Sequence, residues 1–437
     1  MSGGARQGTF LAKHSVNQSR MQILWIKSDY IEPPDTGGKI RTYNLLFELN
    51  RRCCVTYVSL QSNAGCTSGV TTKDWASRVV TFPYSEERKS GLGFILRVLA
   101  AMFSTLPYIV QKYRSREIRD CQRELVTSPA DSQSVNGDTV LVCDFLEMTE
   151  NVDWSLPTPK ILFQHNVESV IWRRYYEHER SPIKKAYFWF EHRRMRRYER
   201  RACNRFDMVL AVSLQDKKVL QQHVGVQTPI EIVETGVDTE YFAPQPHVEP
   251  TPGRLLFLGS LDWMPNIDGI EWFVRDVYPQ VKKACPHVSI DIVGRRPIAA
   301  VQAMANGDQT VNVYGSVPDV RPFMAAADVF IVPLRIGSGT RLKIFEALAM
   351  RRPIVSTTVG AEGLPVEHGR HLLLADSPEE YAKAIASMLE NPEQKQAMAR
   401  EGHELVTRNY SWKTVSARLH ELCLNIHGTN NTKARVS

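Results

Sequence analysis

The chain has no pair of cysteines at CxxC spacing, no Asp-x-Asp anywhere, and no GxGxxG behind its first strand-like run, MQILWI, or behind the later RLLFLG. Each absence removes a class of chemistry. Without CxxC or histidines at zinc-like spacing, the eight cysteines (53, 54, 66, 121, 143, 203, 285 and 423) read as scattered thiols of a reducing compartment. Without paired aspartates a divalent metal held in that way is unavailable, so no metal is expected. Without the dinucleotide fingerprint a nicotinamide enzyme is disfavoured. Residues 1–20 lack the apolar core of a signal peptide and read as a disordered extension. The most apolar stretch, GLGFILRVLAAMFSTLPYIV at 91–110, has the length of a bilayer span but contains Arg97 and Pro107. An arginine at mid-segment costs about 2.5 kcal/mol or more in lipid, so a true span is disfavoured.

What is present is local. The formal charge of +7 is modest for 437 residues, yet the span 172–205 holds twelve Lys or Arg against four Asp or Glu. That segment alone is +8, which argues for one docking surface rather than a general polyelectrolyte binder. Aromatics lie between its charges. Ile183, Tyr187 and Phe190 share one helical face, and Met195, Tyr198 and Ala202 share another after a slip in register. The pattern predicts a long helix packed by that stripe, and with the apolar stretch 91–110 it suits an anionic bilayer surface. Single-stranded nucleic acid would also suit basic and aromatic residues together. No nucleic-acid module accompanies them, and none is expected as a partner.

Short β-rich runs alternate with helical patterns along nearly the whole chain, the arrangement of parallel sheets covered by helices. The first half gives MQILWI, CCVTYVSL, RVVTFPY, TVLVCDFL, KILFQHNV and DMVLAVS. The second gives RLLFLGSL, SIDIVG, VNVYGSV, DVFIVPL, PIVSTTV and HLLLA. Between them APQPHVEPTPG, residues 243–253, has four prolines and no periodicity and reads as a linker. The fold class is therefore α/β, with two Rossmann-like doubly wound domains, 21–242 and 254–410, facing a cleft. A helix over 411–427 is placed to pack back on the first domain, ahead of a mobile tail at 428–437. Ser377 and Glu380 mark a capping box.

The junction DVFIVPLRIGSGTRLKIFEALAM runs from a strand into a helix, the place where open parallel sheets bind ligands. Gly337 and Gly339 let the backbone approach an anion, free N–H groups and the helix dipole attract it, and Arg341 and Lys343 add charge. Glu346 lies further into the helix, where a carboxylate would repel phosphate but accept from sugar hydroxyls. The same glycines also suit a plain strand-to-helix turn with the charges facing water.

The ordered set GTRLKIFEALAM, RRPIVSTTVGAEGL, FLGSLDWMPNIDGIEWF, IDIVGRRP, VYGSVPDVRPFMAAADVFIVPL, ETGVDTEYF and FQHNVES resembles the retaining glycosyltransferases of family four. These have the two-domain GT-B fold, and the likeness runs over roughly residues 21–420. It implies a nucleotide diphosphate sugar as donor substrate, held by Gly337, Ser338, Gly339, Thr340, Glu346, Gly315 and Val317, with Arg341 and Lys343 on the diphosphate. It implies that Gly37 and Gly38 face the diphosphate and acceptor from across the cleft, and that His165 orients the transferred sugar beside Asn166 and Glu168.

The match has two departures. Position 338 is serine where relatives commonly carry the first of two glutamates, and GSLDWMPN lacks their basic pair. The implied reaction needs no cofactor and transfers a sugar to a glycan or lipid-linked acceptor with retention, by front-face attack. It would serve cell-surface polysaccharide or glycolipid synthesis on the cytoplasmic side of a membrane. An epimerase or hydrolase of the same fold, or a silent sugar-nucleotide-binding protein, would carry the same pattern without the acceptor.

Overall fold

The structure is a computed structural model that describes residues 21–62, 70–84, 104–127, 139–179, 181–336 and 342–436. Gly337, Ser338, Gly339, Thr340 and Arg341, most of the apolar stretch 91–110 and the extension 1–20 lie outside the described residues.

Two sheets organise the chain. The first contains β1 (Gln22–Lys27), β2 (Cys54–Ser62), β3 (Val70–Lys73), β4 (Ala76–Tyr84), β5 (Thr139–Asp144), β6 (Lys160–Phe163), β7 (Met208–Ala211) and β8 (Ile230–Ile232). Their order is β3-β4-β2-β1-β5-β6-β7-β8, parallel throughout except for the antiparallel β3–β4 edge. The second contains β9 (Arg254–Leu258), β10 (Ser289–Val293), β11 (Val311–Tyr314), β12 (Val329–Val332), β13 (Ile354–Ser356) and β14 (Leu373–Leu374), ordered β11-β10-β9-β12-β13-β14 and wholly parallel.

The central strands β1 and β5 are buried at all six positions, apolar in their middles with polar residues only at their ends, because helices cover both faces. Ile23 and Trp25 enter one core of the first domain, while Leu24 and Ile26 enter the other. Strand order reverses at β1 in the first sheet and at β9 in the second. The carboxyl ends of β1, β5, β9 and β12 therefore frame the positions where such sheets take ligands.

The helix Trp412–Val436 returns to the first domain, where Val415, Leu419, Cys423 and Ile426 join the core beside Leu45, Leu46 and Leu49. Ser416 Oγ donates to the Leu45 carbonyl at 3.3 Å. The expected tail does not separate, because residues 428–436 prolong this helix. The domain boundary also moves. The chain crosses at Val233–Val237, since Val233 belongs to the first core and Val237 to the second. The proline-rich stretch that composition marked as the linker lies against the second domain, with Thr251 N–H donating to the Ala326 carbonyl at 3.0 Å. Val237 forms an isolated parallel bridge with Ser411 of the returning chain: its N–H donates to the Tyr410 carbonyl, and its own carbonyl accepts from the Trp412 N–H. Gly236 is required in this crossing, because a Cβ on it would lie 2.5 Å from the Trp412 indole.

The basic segment forms a helical hairpin, Glu168–His178 and Pro182–Cys203. Met195, Tyr198 and Ala202 are buried in the first domain as their spacing requires. Ile183 is not: it is 83% exposed, because the first half of the long helix projects beyond the core.

Candidate active site

Three strand ends meet at one buried carboxylate. Asp144 closes β5, Lys27 closes β1 and His165 follows β6, so residues far apart in sequence become neighbours through the strand order β1-β5-β6. Asp144 is fully buried and accepts from Trp25 Nε1 at 3.0 Å and from Thr42 Oγ1 at 2.8 Å. It pairs with Lys27 Nζ at 3.1 Å and is hydrogen-bonded to His165 Nε2. Burial would raise its pKa, but Lys27, His165 and Thr42 outweigh that and hold it well below the usual carboxylate range.

His165 is itself buried, and its Nδ1 lies 3.0 Å from Arg41 Nη1. A guanidinium can only donate, so Nδ1 carries the lone pair and Nε2–H donates to Asp144. The ring is therefore neutral with its tautomer set. Burial lowers its pKa to about 4 against the opposing pull of Asp144. Burial also lowers Arg41 to about 10, again opposed by Asp144.

Phe145 holds the ring from the side. It adopts φ 78° and ψ 149°, a strained conformation for an aromatic residue, and stacks on His165 with ring centroids 4.0 Å apart at 11°. Strain of this kind concentrates at functional sites. Lys27 Nζ lies 4.0 Å from the Phe145 centroid. Gly38 makes the approach possible, since a Cβ there would come within 3.3 Å of the Phe145 ring. Around Gly37 an added Cβ would meet nothing within 4 Å.

In the second domain the helix Leu342–Ala349 buries Ile344, Phe345, Ala347 and Leu348. Lys343 turns toward the end of β9: its Nζ donates to the Leu258 carbonyl at 2.5 Å and to Asn266 Oδ1 at 3.2 Å. It also lies 4.8 Å from the Phe257 centroid. Lys343 thus ties the helix to the loop GSLDWMPN, the loop in which the sequence offers no basic pair. Glu346 is partly buried, and that burial raises its carboxyl to about 7 against the opposing charge of Lys343. Gly315 has open space where a Cβ would stand, and Val317 packs against the second core.

A cavity of about 150 Å³ lies between the domains. Its walls include His165, Asn166 and Asp216 from the first domain and Phe345, Glu362 and Leu364 from the second. Arg174 Nη2 and Glu362 Oε1, 3.6 Å apart, join the two domains beside it. Burial raises the Asp216 carboxyl, opposed by the Ser213 hydroxyl and Arg41.

Of the site residues read from the sequence, His165 lines this cavity and Gly38 backs it through Phe145. Gly37, Lys343, Glu346, Gly315 and Val317 are not in its walls. Asp144, Arg41, Phe145, Arg174 and Glu362 were not anticipated. Asp144 had a signal, an acid closing the apolar run TVLVCD at a strand end, and Arg41 another, one turn beyond Gly37 and Gly38. Among the described residues, no group of three His, Cys, Asp or Glu is arranged to hold a metal, and no helix is long and apolar enough to cross a membrane.

Two family profiles match the chain in order. The profile described as Glycosyltransferase Family 4 covers residues 153–241, and the one described as Glycosyl transferases group 1 covers 252–391. The chain is 25% identical over 270 residues to an uncharacterized 44.6 kDa protein in the cps region of Klebsiella pneumoniae, covering 59% of this chain and 66% of that one. It is 28% identical over 243 residues to a GDP-mannose-dependent α-(1-6)-phosphatidylinositol monomannoside mannosyltransferase of Mycolicibacterium smegmatis, covering 51% and 63%. It thus spans less than two thirds of the length of these relatives. Among solved structures, sucrose-phosphate synthase from Thermosynechococcus elongatus superposes with TM-score 0.65 at 16% identity, covering 94% of this chain and 100% of that one. An Anabaena protein crystallised with UDP gives 0.62 at 14%, covering 93% and 100%. At such identity the likeness concerns the fold, which is GT-B.

Proposed function

This chain is a group 1 glycosyltransferase of the family-four type with the GT-B fold, and from that premise we propose that it moves a sugar from a nucleotide diphosphate sugar to an acceptor hydroxyl with retention of configuration. The acceptor is a glycan or lipid-linked glycan in cell-surface polysaccharide or glycolipid synthesis. The observation that supports this best is the interdomain cavity at the carboxyl ends of both sheets, with the Asp144–His165–Arg41 network on one side and the Leu342–Ala349 helix on the other.

The donor's diphosphate sits at the start of that helix, on the amides of Gly337 to Thr340 and on Arg341, where the helix dipole favours negative charge. Lys343 holds the neighbouring loop and adds positive potential from behind it. Glu346 accepts from the ribose hydroxyls. The reaction proceeds without a metal or cofactor, and charge on the leaving diphosphate is met by these preorganised donors.

On the front face the departing phosphate oxygen takes the acceptor's proton. His165 is a positioning residue: both ring nitrogens are committed to Asp144 and Arg41, so it orients the sugar by fixing Arg41 and the end of β6. Closure about the Val233–Val237 and Asn409–Trp412 crossing aligns the reactants and excludes water. The exposed Ile183 beside Lys184 and Lys185 supports a peripheral seat on an anionic bilayer at the cytoplasmic face.

The named relatives include a GDP-mannose enzyme and a UDP complex, so the test is a panel of UDP- and GDP-sugars with and without glycan and lipid-linked acceptors. Nucleotide release that depends on acceptor, with a glycosylated product, is the expected result. Release without acceptor would instead identify a hydrolase, and a new sugar nucleotide an epimerase.

A further inference from the structure

Between the two helices of the hairpin runs a groove of about 530 Å³ whose walls include Arg173, Trp189, Arg193, Arg196, Arg197 and Arg200. Of these, Trp189, Arg193, Arg197 and Arg200 follow one another on the long helix at steps of four, four and three and share one face, with Arg196 three residues beyond Arg193 at its edge. Neighbours at that spacing stand about 5–6 Å apart, the advance of one pyranose unit along an extended glycan. Among the described residues, Arg173 is the one arginine of this groove within ion-pair distance of a carboxylate, Glu177 at 3.5 Å. Arg193 stacks over the half-exposed Trp189 at 4.4 Å from its centroid. Like charges so arranged repel, and among the described residues Glu177 is the one carboxylate in the groove wall.

The groove does not end blindly. A hollow of about 100 Å³ shares Arg173, His192 and Arg196 with it, and shares Val170 and Arg173 with the interdomain cavity. The three hollows therefore adjoin one another along the hairpin, from the arginine stripe to the interdomain cavity.

We propose that this groove seats an acidic glycan acceptor, a chain of sugar units bearing carboxylates or phosphates, whose growing end reaches the interdomain cavity. The proposal rests on the transfer reading above and names its acceptor class. Guanidinium forks pair with carboxylate or phosphate oxygens, and Trp189 offers an apolar face for a pyranose ring. The exposed arginines line a groove between two helices, a shape that fits a single chain better than a bilayer plane.

The test is titration of the full-length protein with a short oligogalacturonate, compared with a neutral maltooligosaccharide of equal length, single-stranded DNA and phosphatidylglycerol vesicles. The expected result is binding of the acidic oligosaccharide over the neutral one and the DNA, weakened by salt and reduced about tenfold or more by the double change Arg196→Gln/Arg197→Gln. Both positions are exposed and glutamine keeps helix propensity, so circular dichroism and UDP or GDP titration of the variant should match the unaltered protein. Equal binding of DNA, binding of vesicles alone, or an unchanged affinity in the double variant overturns the proposal. Nucleotide titration separates the two readings: UDP or GDP bound with the oligosaccharide ignored overturns the acceptor proposal alone, whereas neither nucleotide bound overturns the transfer reading as well.

Discussion

His165 accepts from Arg41 on Nδ1 at 3.0 Å while its Nε2–H donates to Asp144, so a histidine at the edge of the cleft has no ring nitrogen left for a proton-transfer role. Its contribution is geometric. The expectation is that His165→Ala lowers kcat by at least about tenfold through lost positioning, while calorimetry finds UDP or GDP affinity within about twofold of the unaltered protein. Equal losses in both would remove it from the sugar's side of the cleft.

The same geometry sets a pH response. The folded pKa of His165, about 4, lies below the value of about 6.5 for the unfolded chain. Its stabilising contribution is complete above pH 6.5 and is lost as pH falls toward 4. Urea unfolding should show a decline of up to about 2–3 kcal/mol over that window. The decline should be smaller in His165→Gln, and a matching decline would show that groups other than His165 set this pH response.

The pKa of Glu346 is shifted in the opposite direction. Its carboxyl is raised to about 7, so it is a mixture of acid and carboxylate at neutral pH and ionises as pH rises from 6 to 8. A carboxylate is the better acceptor for ribose hydroxyls. Nucleotide affinity of the unaltered protein should therefore rise several-fold more across that range than affinity of Glu346→Gln, which cancels the phosphate's own titration. Parallel profiles would place Glu346 away from the nucleotide.

Where the chain crosses between domains, Gly236 and Trp412 leave no room for a methyl group. Gly236→Ala should cost about 1–3 kcal/mol by overpacking, read as a lower midpoint of thermal unfolding. An unchanged midpoint would mean that the crossing yields freely and is no fixed hinge.

Much of the fold was legible because its signals are local. Twelve strands follow from apolar runs between helical patterns, and the capping box at Ser377 and Glu380 is present as its spacing requires. The two strands that were missed carry no such signal: β3 is exposed at every position, and β8 is three residues long. The proline-rich stretch 243–253 misled the boundary because irregular backbone need not be a linker. It is docked on the second domain, and the true crossing at Gly236 looks like an ordinary loop in sequence.

The site was less legible for a different reason. Residues 41, 144 and 165 meet only through the strand order β1-β5-β6 and the packing of the helix Gly37–Leu49, and no spacing rule connects them. Lys343 reads as a phosphate contact by its place at the helix start, and its ammonium donates to the Leu258 carbonyl at the end of β9 and to Asn266 Oδ1, contacts that sequence spacing does not reveal.

The central claim is that nucleotide diphosphate binds at the beginning of the Leu342–Ala349 helix. Calorimetric titration of the unaltered protein and of Arg341→Ala with UDP and GDP tests it most directly. The expected result is binding of one nucleotide by the unaltered protein and a loss of about tenfold or more in the variant, with the thermal midpoint unchanged. A nucleotide bound with undiminished affinity by Arg341→Ala would contradict the claim.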